Sequence, residues 1–351
     1  LYPHAYRDHW VAQQYLPDNL QGRVFYEPSD QGYERGIRDQ VSRRREAQLA
    51  AMLEEGAPEI LTVTPSAGSG ARWLQRTISN TGDQLGRLRD RVLDAAQIQR
   101  HHVVLDLNAG SGLLTWEILR RAPEGGTWAL ARDRQAGEGL RQQADRLPEI
   151  ERPIVLVGEP EELGDLMVLR GEGEVKFDAV VGRNALGQLA DKAAVLCLLR
   201  EALRPGGVLS LAETVVRQAQ RLYELVDLQE LGSDLSLRVR EAEEQIYAAP
   251  DVALVSWLPA DLNEAAGTAG FEGVAVADQS QETDMLVSPD AIGRWFATEP
   301  VGERPSYAQH LLRSMTAEEL AQVRALYERE LSGQTVRWRA QVAYLVGQKP
   351  A

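Results

Sequence analysis

Val103-Val-Leu-Asp-Leu-Asn-Ala-Gly-Ser-Gly112 is the stretch of sequence that decides the fold of this chain. Its apolar first half predicts a buried parallel strand, and its glycine-rich second half predicts a turn into a helix over 113–121. Doubly wound α/β sheets build nucleotide sites from this unit, because the glycines let the backbone approach a ligand and the helix start offers unpaired N–H groups. One glycine-rich turn is weak support by itself, so the order of the following elements matters.

The segment after residue 101 alternates between strand-like and helix-like runs. Alternation of this kind predicts a parallel sheet with right-handed crossovers. The predicted strands are 102–107, 127–131, 153–157, 177–182 and 207–212, and the predicted helices are 113–121, 136–146, 160–169 and 191–203.

The rest of the chain is patterned differently. Residues 1–28 are rich in Tyr, His, Trp and Pro and predict an extended arm, followed by a charged helix from Asp30 to Glu54 with Ser29 as its N-cap. We expect a linker over 51–82 that includes a short strand, Ile60 to Thr64. Further predictions are a helix at 83–98, helical segments at 214–247, 260–269 and 288–332, and strands at 273–279 and 336–346.

Composition narrows the classes of function. The 351 residues include one cysteine and five histidines, which argues against a zinc site and against disulfides. No apolar run approaches the ~20 residues of a membrane span, no signal peptide is visible, and a reducing cytoplasm fits. The net charge of −14 comes entirely from residues 101–351, which makes this part a poor partner for a phosphate backbone.

The order of elements over 102–212 resembles the class I S-adenosylmethionine-dependent methyltransferases. Asp106 to Gly112 is similar to their Asp-x-Gly-x-Gly-x-Gly motif, with Asn108 in place of the first glycine. Asn tolerates left-handed backbone angles better than most residues. The resemblance implies that Asp106 orients the loop and that the backbone from Ala109 through Gly110 to Gly112 holds the methionine part of the cofactor.

Later motifs extend this resemblance. It places Glu159 near the adenine amino group and Asn184 beside the transferred methyl group, while Arg204-Pro-Gly-Gly207 matches the turn into the fifth strand. Glu213, at the tip of that strand, is either a general base or an anchor for a loop. The resemblance therefore implies a Rossmann-like α/β fold with a mostly parallel seven-stranded sheet over 83–351, S-adenosylmethionine as cofactor and no metal.

One position departs from the family pattern. These enzymes place an acid at the tip of the second strand, where it bonds both ribose hydroxyls, but Ala131 stands there, followed by Arg132 and Asp133. Asp133 serves this role if the strand runs two residues longer; otherwise the ribose clamp is lost. Loss of such a carboxylate would weaken binding by about 1.5–3 kcal/mol.

The sequence does not identify a methyl acceptor. The exit of strand four lacks the Asn/Asp-Pro-Pro-Tyr of amino-methylating DNA enzymes, and Cys197 is expected to be a buried apolar residue rather than a nucleophile. The Asn184 form of this exit is similar to methyltransferases that act by proximity and alignment. Segments 214–250 and 288–332 are expected to cap the cleft, with four aromatic residues either in the core of the cap or lining a pocket: Trp257, Trp295, Phe296 and Trp338.

Residues 1–50 carry a second resemblance. Trp10-Val-Ala-Gln-Gln-Tyr-Leu-Pro17 and Phe25-Tyr-Glu-Pro-Ser-Asp-Gln-Gly-Tyr33 are similar to the C-terminus of the RarA (MgsA) AAA+ ATPases of replication-associated recombination. The chain starts at Leu1 and has no Gly-x-x-x-x-Gly-Lys-Ser/Thr, so we expect it to be the C-terminal part of a fusion of the cyanobacterial type, with the ATPase module upstream. The family resemblance implies oligomerisation and contact with DNA through that module. Five arginines (Arg35, Arg38 and Arg43 to Arg45) either meet DNA phosphates or form a solvated helix face.

Two functions remain open at this point. The first is S-adenosylmethionine binding with methyl transfer to an unidentified acceptor. The second is a non-catalytic module that docks the ATPase onto a protein or onto DNA. The direction of the Asp133 side chain and the space above Gly110 distinguish the two.

Overall fold

The computed structural model describes residue 28 and residues 31–53, 81–299 and 305–351. Seven strands form one sheet in the order β3-β2-β1-β4-β5-β7-β6, and β7 runs antiparallel to both of its neighbours. The strands are β1 (Val103–Leu107), β2 (Gly126–Ala131), β3 (Ile154–Val157), β4 (Phe177–Arg183), β5 (Leu203–Thr214), β6 (Glu272–Leu286) and β7 (Thr335–Gln348).

Helices cover both faces of this sheet. They are α1 (Gly32–Leu53), α2 (Thr81–Ala95), α3 (Thr115–Arg121), α4 (Arg134–Ala144), α5 (Leu163–Leu169), α6 (Lys192–Ala202), α7 (Ser233–Tyr247), α8 (Pro259–Thr268), α9 (Pro289–Trp295), α10 (Tyr307–Leu311) and α11 (Ala317–Leu331). The predicted α/β fold with a mostly parallel seven-stranded sheet is confirmed.

The central strands are mostly apolar because both of their faces are buried. In β1, Val104 packs with α2 and α3 on one face, while Leu105 and Leu107 pack with α5, α6 and α8 on the other. In β2, Ala129 faces α4 whereas Trp128 faces the opposite side, where it meets Phe177 edge to face. Side chains of a strand alternate between faces, so an apolar run of this length indicates an interior strand.

A second hydrophobic cluster forms the cap. It joins α7, α9, α10 and α11, and includes Trp295 and Phe296, with Trp338 packed against it. Trp257 lies instead in the main core beneath α8. The helix predicted over 214–247 was wrong in its first half: short 3₁₀ turns occupy 216–231, and α7 starts only after Gly232, whose φ is 80°.

Cys197 corrects another prediction. It lies on the solvent side of α6 and is exposed, because the helical period turns Val195, Leu196 and Leu199 toward the core. The arm predicted over 1–28 (apart from residue 28), the N-cap at Ser29 and the linker strand at 60–64 lie outside the described residues. Within the described part of the chain, no helix is long and apolar enough to cross a membrane.

Candidate functional site at the carboxyl edge of the sheet

The predicted site residues follow the carboxyl ends of neighbouring parallel strands. The sheet order puts β1 between β2 and β4, with β3 and β5 next outward. Because parallel strands all end at the same edge, residues from five strands meet along one line.

Asp106 ends β1 and is 1% exposed. One carboxylate oxygen, Oδ2, accepts a hydrogen bond of 2.6 Å from the hydroxyl of Thr115, at the first position of α3. The other oxygen, Oδ1, is buried and accepts none. Burial raises the pKa of Asp106 to about 7, against the opposing effect of the Thr115 hydrogen bonds.

The glycine turn has the backbone that its sequence predicts. Asn108 has a φ of 72°, and its side-chain amide donates to the carbonyl oxygens of Arg183 and Asn184 at 2.8 and 3.1 Å. Ala109 is buried, and its N–H bonds the carbonyl of Leu130 in β2. The turn is thereby tied to the strands on both sides.

Two glycines complete the turn. Gly110 has a φ of 24°, and Gly112 has a φ of 79°. A Cβ added at Gly112 would lie 2.3 Å from Nε1 of Trp116 and 2.9 Å from Leu140. Gly112 is therefore required both by its backbone angle and by the indole that packs against it, a contact that the sequence reasoning missed.

No acidic side chain from the tip of β2 points to the carboxyl edge of the sheet. Ala131 is fully buried. Asp133 is exposed and serves as the N-cap of α4, because its carboxylate accepts a hydrogen bond of 2.8 Å from the N–H of Ala136.

Arg132, between these two residues, reaches along the edge. Its Nη2 donates a hydrogen bond of 2.5 Å to the carbonyl of Ala185, which follows β4. Its Nε lies 3.4 Å from a carboxylate oxygen of Glu159, which follows β3 and is half exposed. Arg132 follows β2, its partner Ala185 follows β4, and β1 lies between these two strands. The side chain of Arg132 therefore passes over the carboxyl end of β1, where the glycine turn begins. A cation directly after a predicted strand tip was the signal in the sequence for this residue.

Asn184 connects β4 with β5. Its N–H donates to the carbonyl of Ala212 at 2.9 Å, and its side-chain oxygen accepts from the N–H of Thr214 at 3.0 Å. Its φ is 50°. The side chain that the family places beside the methyl group thus has a partner within the sheet.

Glu213, in β5, holds the loop that follows β4. Its carboxylate accepts three backbone hydrogen bonds, from the N–H groups of Ala185, Leu186 and Gly187 at 2.8 to 3.0 Å. Burial raises the pKa of Glu213, although the three hydrogen bonds and the charge of Arg132 oppose the rise.

A lysine that the sequence reasoning missed closes the far end of this loop. Lys192 begins α6 and is buried; its Nζ donates to the carbonyl of Leu189 at 2.8 Å and lies 5.5 Å from the ring centre of Trp257. Burial lowers its pKa, against the opposing charges of Glu213 and Asp261. Loop 184–191 is therefore anchored at several points.

The structure directs the side chain of Asp133 to the amino-terminal end of α4. The other predicted residues lie together at the edge, along with Arg132: Asp106, Asn108, the glycine turn, Glu159, Asn184 and Glu213. Among the described residues, no group of three or more His, Cys, Asp or Glu side chains is placed to hold a metal ion.

Comparison with known proteins gives a family match at the start of the chain. The model of the MgsA AAA+ ATPase C-terminal family matches residues 1–45. The predicted MgsA-type tail is thereby confirmed. No curated protein matches the chain.

Solved structures resemble the chain at low identity. YcgJ of Bacillus subtilis is 13% identical, with 77% of this chain and 99% of that chain covered at a TM-score of 0.42. Phosphoethanolamine N-methyltransferase 2 of Haemonchus contortus, in complex with S-adenosyl-L-methionine, is 12% identical. The match covers 76% of this chain and 53% of that chain at a TM-score of 0.43. The [4+2]-cyclase SpnF is 15% identical, and the match covers 88% of this chain and 97% of that chain at a TM-score of 0.42.

Proposed function

We propose that residues 81–351 form a methyltransferase-fold module that no longer holds S-adenosylmethionine and that serves as a docking domain of an MgsA-type ATPase. The observation that carries this proposal is the side chain of Arg132, which bonds Ala185 across the end of β1. The DNA-maintenance role, contact with DNA and oligomerisation are assigned to the ATPase module, as the family resemblance implies.

The residues at this edge do not fit the cofactor. A carboxylate that accepts both ribose hydroxyls is replaced by the buried methyl group of Ala131, and Asp133 is engaged at the start of α4. Arg132 follows Ala131 and its Nε lies 3.4 Å from Glu159, so the residue next to the missing acid is a cation that is already paired with another carboxylate.

Glu213 and Asn184, the two candidates for catalysis at this edge, are both engaged in hydrogen bonds within the protein. All three hydrogen bonds of Glu213 go to the backbone of the loop after β4, and the side-chain oxygen of Asn184 accepts from Thr214. A general base needs an acceptor within hydrogen-bond reach of the proton that it removes. These contacts support an anchoring role for Glu213.

One observation favours the second candidate, S-adenosylmethionine binding with methyl transfer. Oδ1 of Asp106 is buried without a partner, next to a glycine turn with the family's backbone conformation. Buried carboxylate oxygens are nearly always hydrogen-bonded, so a free one marks a place where a ligand would be accepted.

Calorimetric titration of the whole chain with S-adenosylhomocysteine separates the two candidates. The docking proposal expects no heat and no rise in melting temperature at millimolar ligand. A dissociation constant in the micromolar range would overturn it and support the second candidate. Adenosine and methionine, titrated separately, show which half of the site is lost.

A further inference from the structure

The MgsA-type tail and the methyltransferase-like domain share one helix. The family match ends at residue 45, while α1 runs on to Leu53. The amino-terminal half of α1 is largely exposed, with Tyr33 at 82%, whereas Ala47 and Ala50 further along are buried. The boundary between the two parts therefore falls inside a helix that is seated on the domain.

A residue of the matched segment forms a partly buried ion pair with α3. Nε and Nη2 of Arg43 donate to the two carboxylate oxygens of Glu117 at 2.9 and 3.1 Å, and the Glu117 side chain is 2% exposed. Burial favours a higher pKa for Glu117, but the hydrogen bond from Arg43 and the charges of Arg120, Arg43 and Arg89 outweigh burial and hold the pKa below its usual range. A two-pronged pair of this kind fixes orientation as well as distance.

A second pair and an apolar contact lie one turn further along α1. Glu46 accepts hydrogen bonds from Arg120 of α3. Ala47 and Ala50 form a small buried cluster with Leu85 of α2 and Leu113. Because alanine side chains are small, α1 packs closely against Leu85 and Leu113. This contact holds α1 on the domain.

One of the contacts of α1 lies directly beside the glycine turn. Leu113 is the residue directly after Gly112, and the next turn of α3 supplies both Thr115, which holds Asp106, and Trp116, which packs against Gly112. The residues that α1 contacts here, Leu113, Glu117 and Arg120, lie one, five and eight positions after Gly112.

We infer that α1 is a coupling helix that links the position of the MgsA-type tail to the glycine turn at the edge of the sheet. The partner is the ATPase module of the tail's family, and in this respect the inference rests on the proposed function. The mechanical link rests only on the contacts of Arg43, Glu46, Ala47 and Ala50. Contiguous packed side chains and ion pairs are the contacts through which distant elements are coupled.

Hydrogen exchange of the whole chain, followed by mass spectrometry, tests the link. We expect Arg43→Ala to speed exchange in the segment 106–121 by roughly tenfold or more, since losing a charge-assisted pair releases the local structure. Arg35→Ala, on the exposed half of the same helix, is the matched control and is expected to change nothing there. Exchange in α7, which lies in the separate cap cluster, reports whether the variant still folds.

Faster exchange in α1 with unchanged exchange over 106–121 would overturn the inference, because α1 would then only rest on the domain. If Arg43→Ala also speeds exchange in α7, Glu46→Gln replaces it as the milder variant, with the same two outcomes. The ligand titration does not enter this test, so the coupling and the proposed function fail independently.

Discussion

Arg132 and Glu213 hold the same peptide unit: Arg132 donates to the carbonyl oxygen of Ala185, and Glu213 accepts at 3.0 Å from the N–H of Leu186, the other half of that peptide. Arg132 directly follows β2 and Glu213 lies in β5, on either side of β1 and β4. The peptide that follows β4 is thereby fixed by a cation and a carboxylate together. In an enzyme of this fold the same edge would have to admit a ligand.

Restoring the acid should restore ligand binding. We expect the double variant Ala131→Asp/Arg132→Ala to bind S-adenosylhomocysteine at least about tenfold more tightly than the wild type, the gain expected from charge-assisted hydrogen bonds to the ribose. Arg132→Ala alone is the control that removes the cation without adding the acid. Calorimetry measures both; equal weak binding by all three proteins would contradict the prediction.

Glu213→Gln should destabilise the domain. The carboxylate accepts three backbone hydrogen bonds, and an amide presents an N–H group to one of those donors. We expect the free energy of unfolding to fall by about 2–4 kcal/mol in urea titrations, because hydrogen bonds to a buried charged group are costly to lose. The exposed Glu201→Gln serves as control and should leave the midpoint unchanged.

Glu243 predicts how stability depends on pH. It is buried in the cap and accepts hydrogen bonds from Tyr307 and from the N–H of Tyr223, and burial raises its pKa to about 7 from an ordinary value of 4.5. Between those values the folded chain holds a proton that the unfolded chain has lost. The contribution is complete below pH 4.5 and is lost as the pH rises through 7.

Urea unfolding at a series of pH values between 5 and 8 checks this dependence. One such group changes stability by at most about 1.4 kcal/mol per pH unit. Asp106 and Glu46 have pKa values raised to about 7 as well, so Glu243→Gln should reduce the slope without abolishing it. Glu244→Gln is the control, because hydrogen bonding to Arg221 lowers the pKa of Glu244, which is charged in both states over this range. An unchanged slope in Glu243→Gln would refute the assignment.

Two glycines near the edge should respond to alanine in opposite ways. Gly112→Ala forces a side chain into the left-handed region and onto Trp116, so we expect a loss of about 2 kcal/mol or more in the free energy of unfolding. Gly139→Ala lies in α4 with open space around it, and we expect a gain of about 0.4–1 kcal/mol. Chemical denaturation of both variants measures these changes in the free energy of unfolding. A Gly112→Ala variant as stable as the wild type would contradict the prediction, since the turn would then adjust to the added side chain.

The lengths of two strands were predicted less well than the rest. The first four strands agree with the prediction to within one residue at each end and β7 to within two, but β5 begins at Leu203 rather than 207 and β6 runs to Leu286 rather than 279. Much of β6 is exposed, so its outer part carries no apolar run to mark it, and pairing with β7 decides where it ends. The turns over 216–231 are likewise held by the cap cluster, which periodicity does not reveal.

The sequence by itself determined the alternation of strands and helices, the glycine turn at Gly110 and Gly112, and the MgsA-type tail. These are local features: apolar runs buried on both faces, residues that tolerate left-handed backbone angles, and aromatic motifs at fixed spacing. Asp133 caps α4 through an equally local hydrogen bond, from the N–H of Ala136. Only the tertiary structure decided that Glu213 anchors a loop and that Arg132 lies across the end of β1. The directions of these two side chains depend on partners more than twenty residues away, which come together only when the parallel strands end at a common edge.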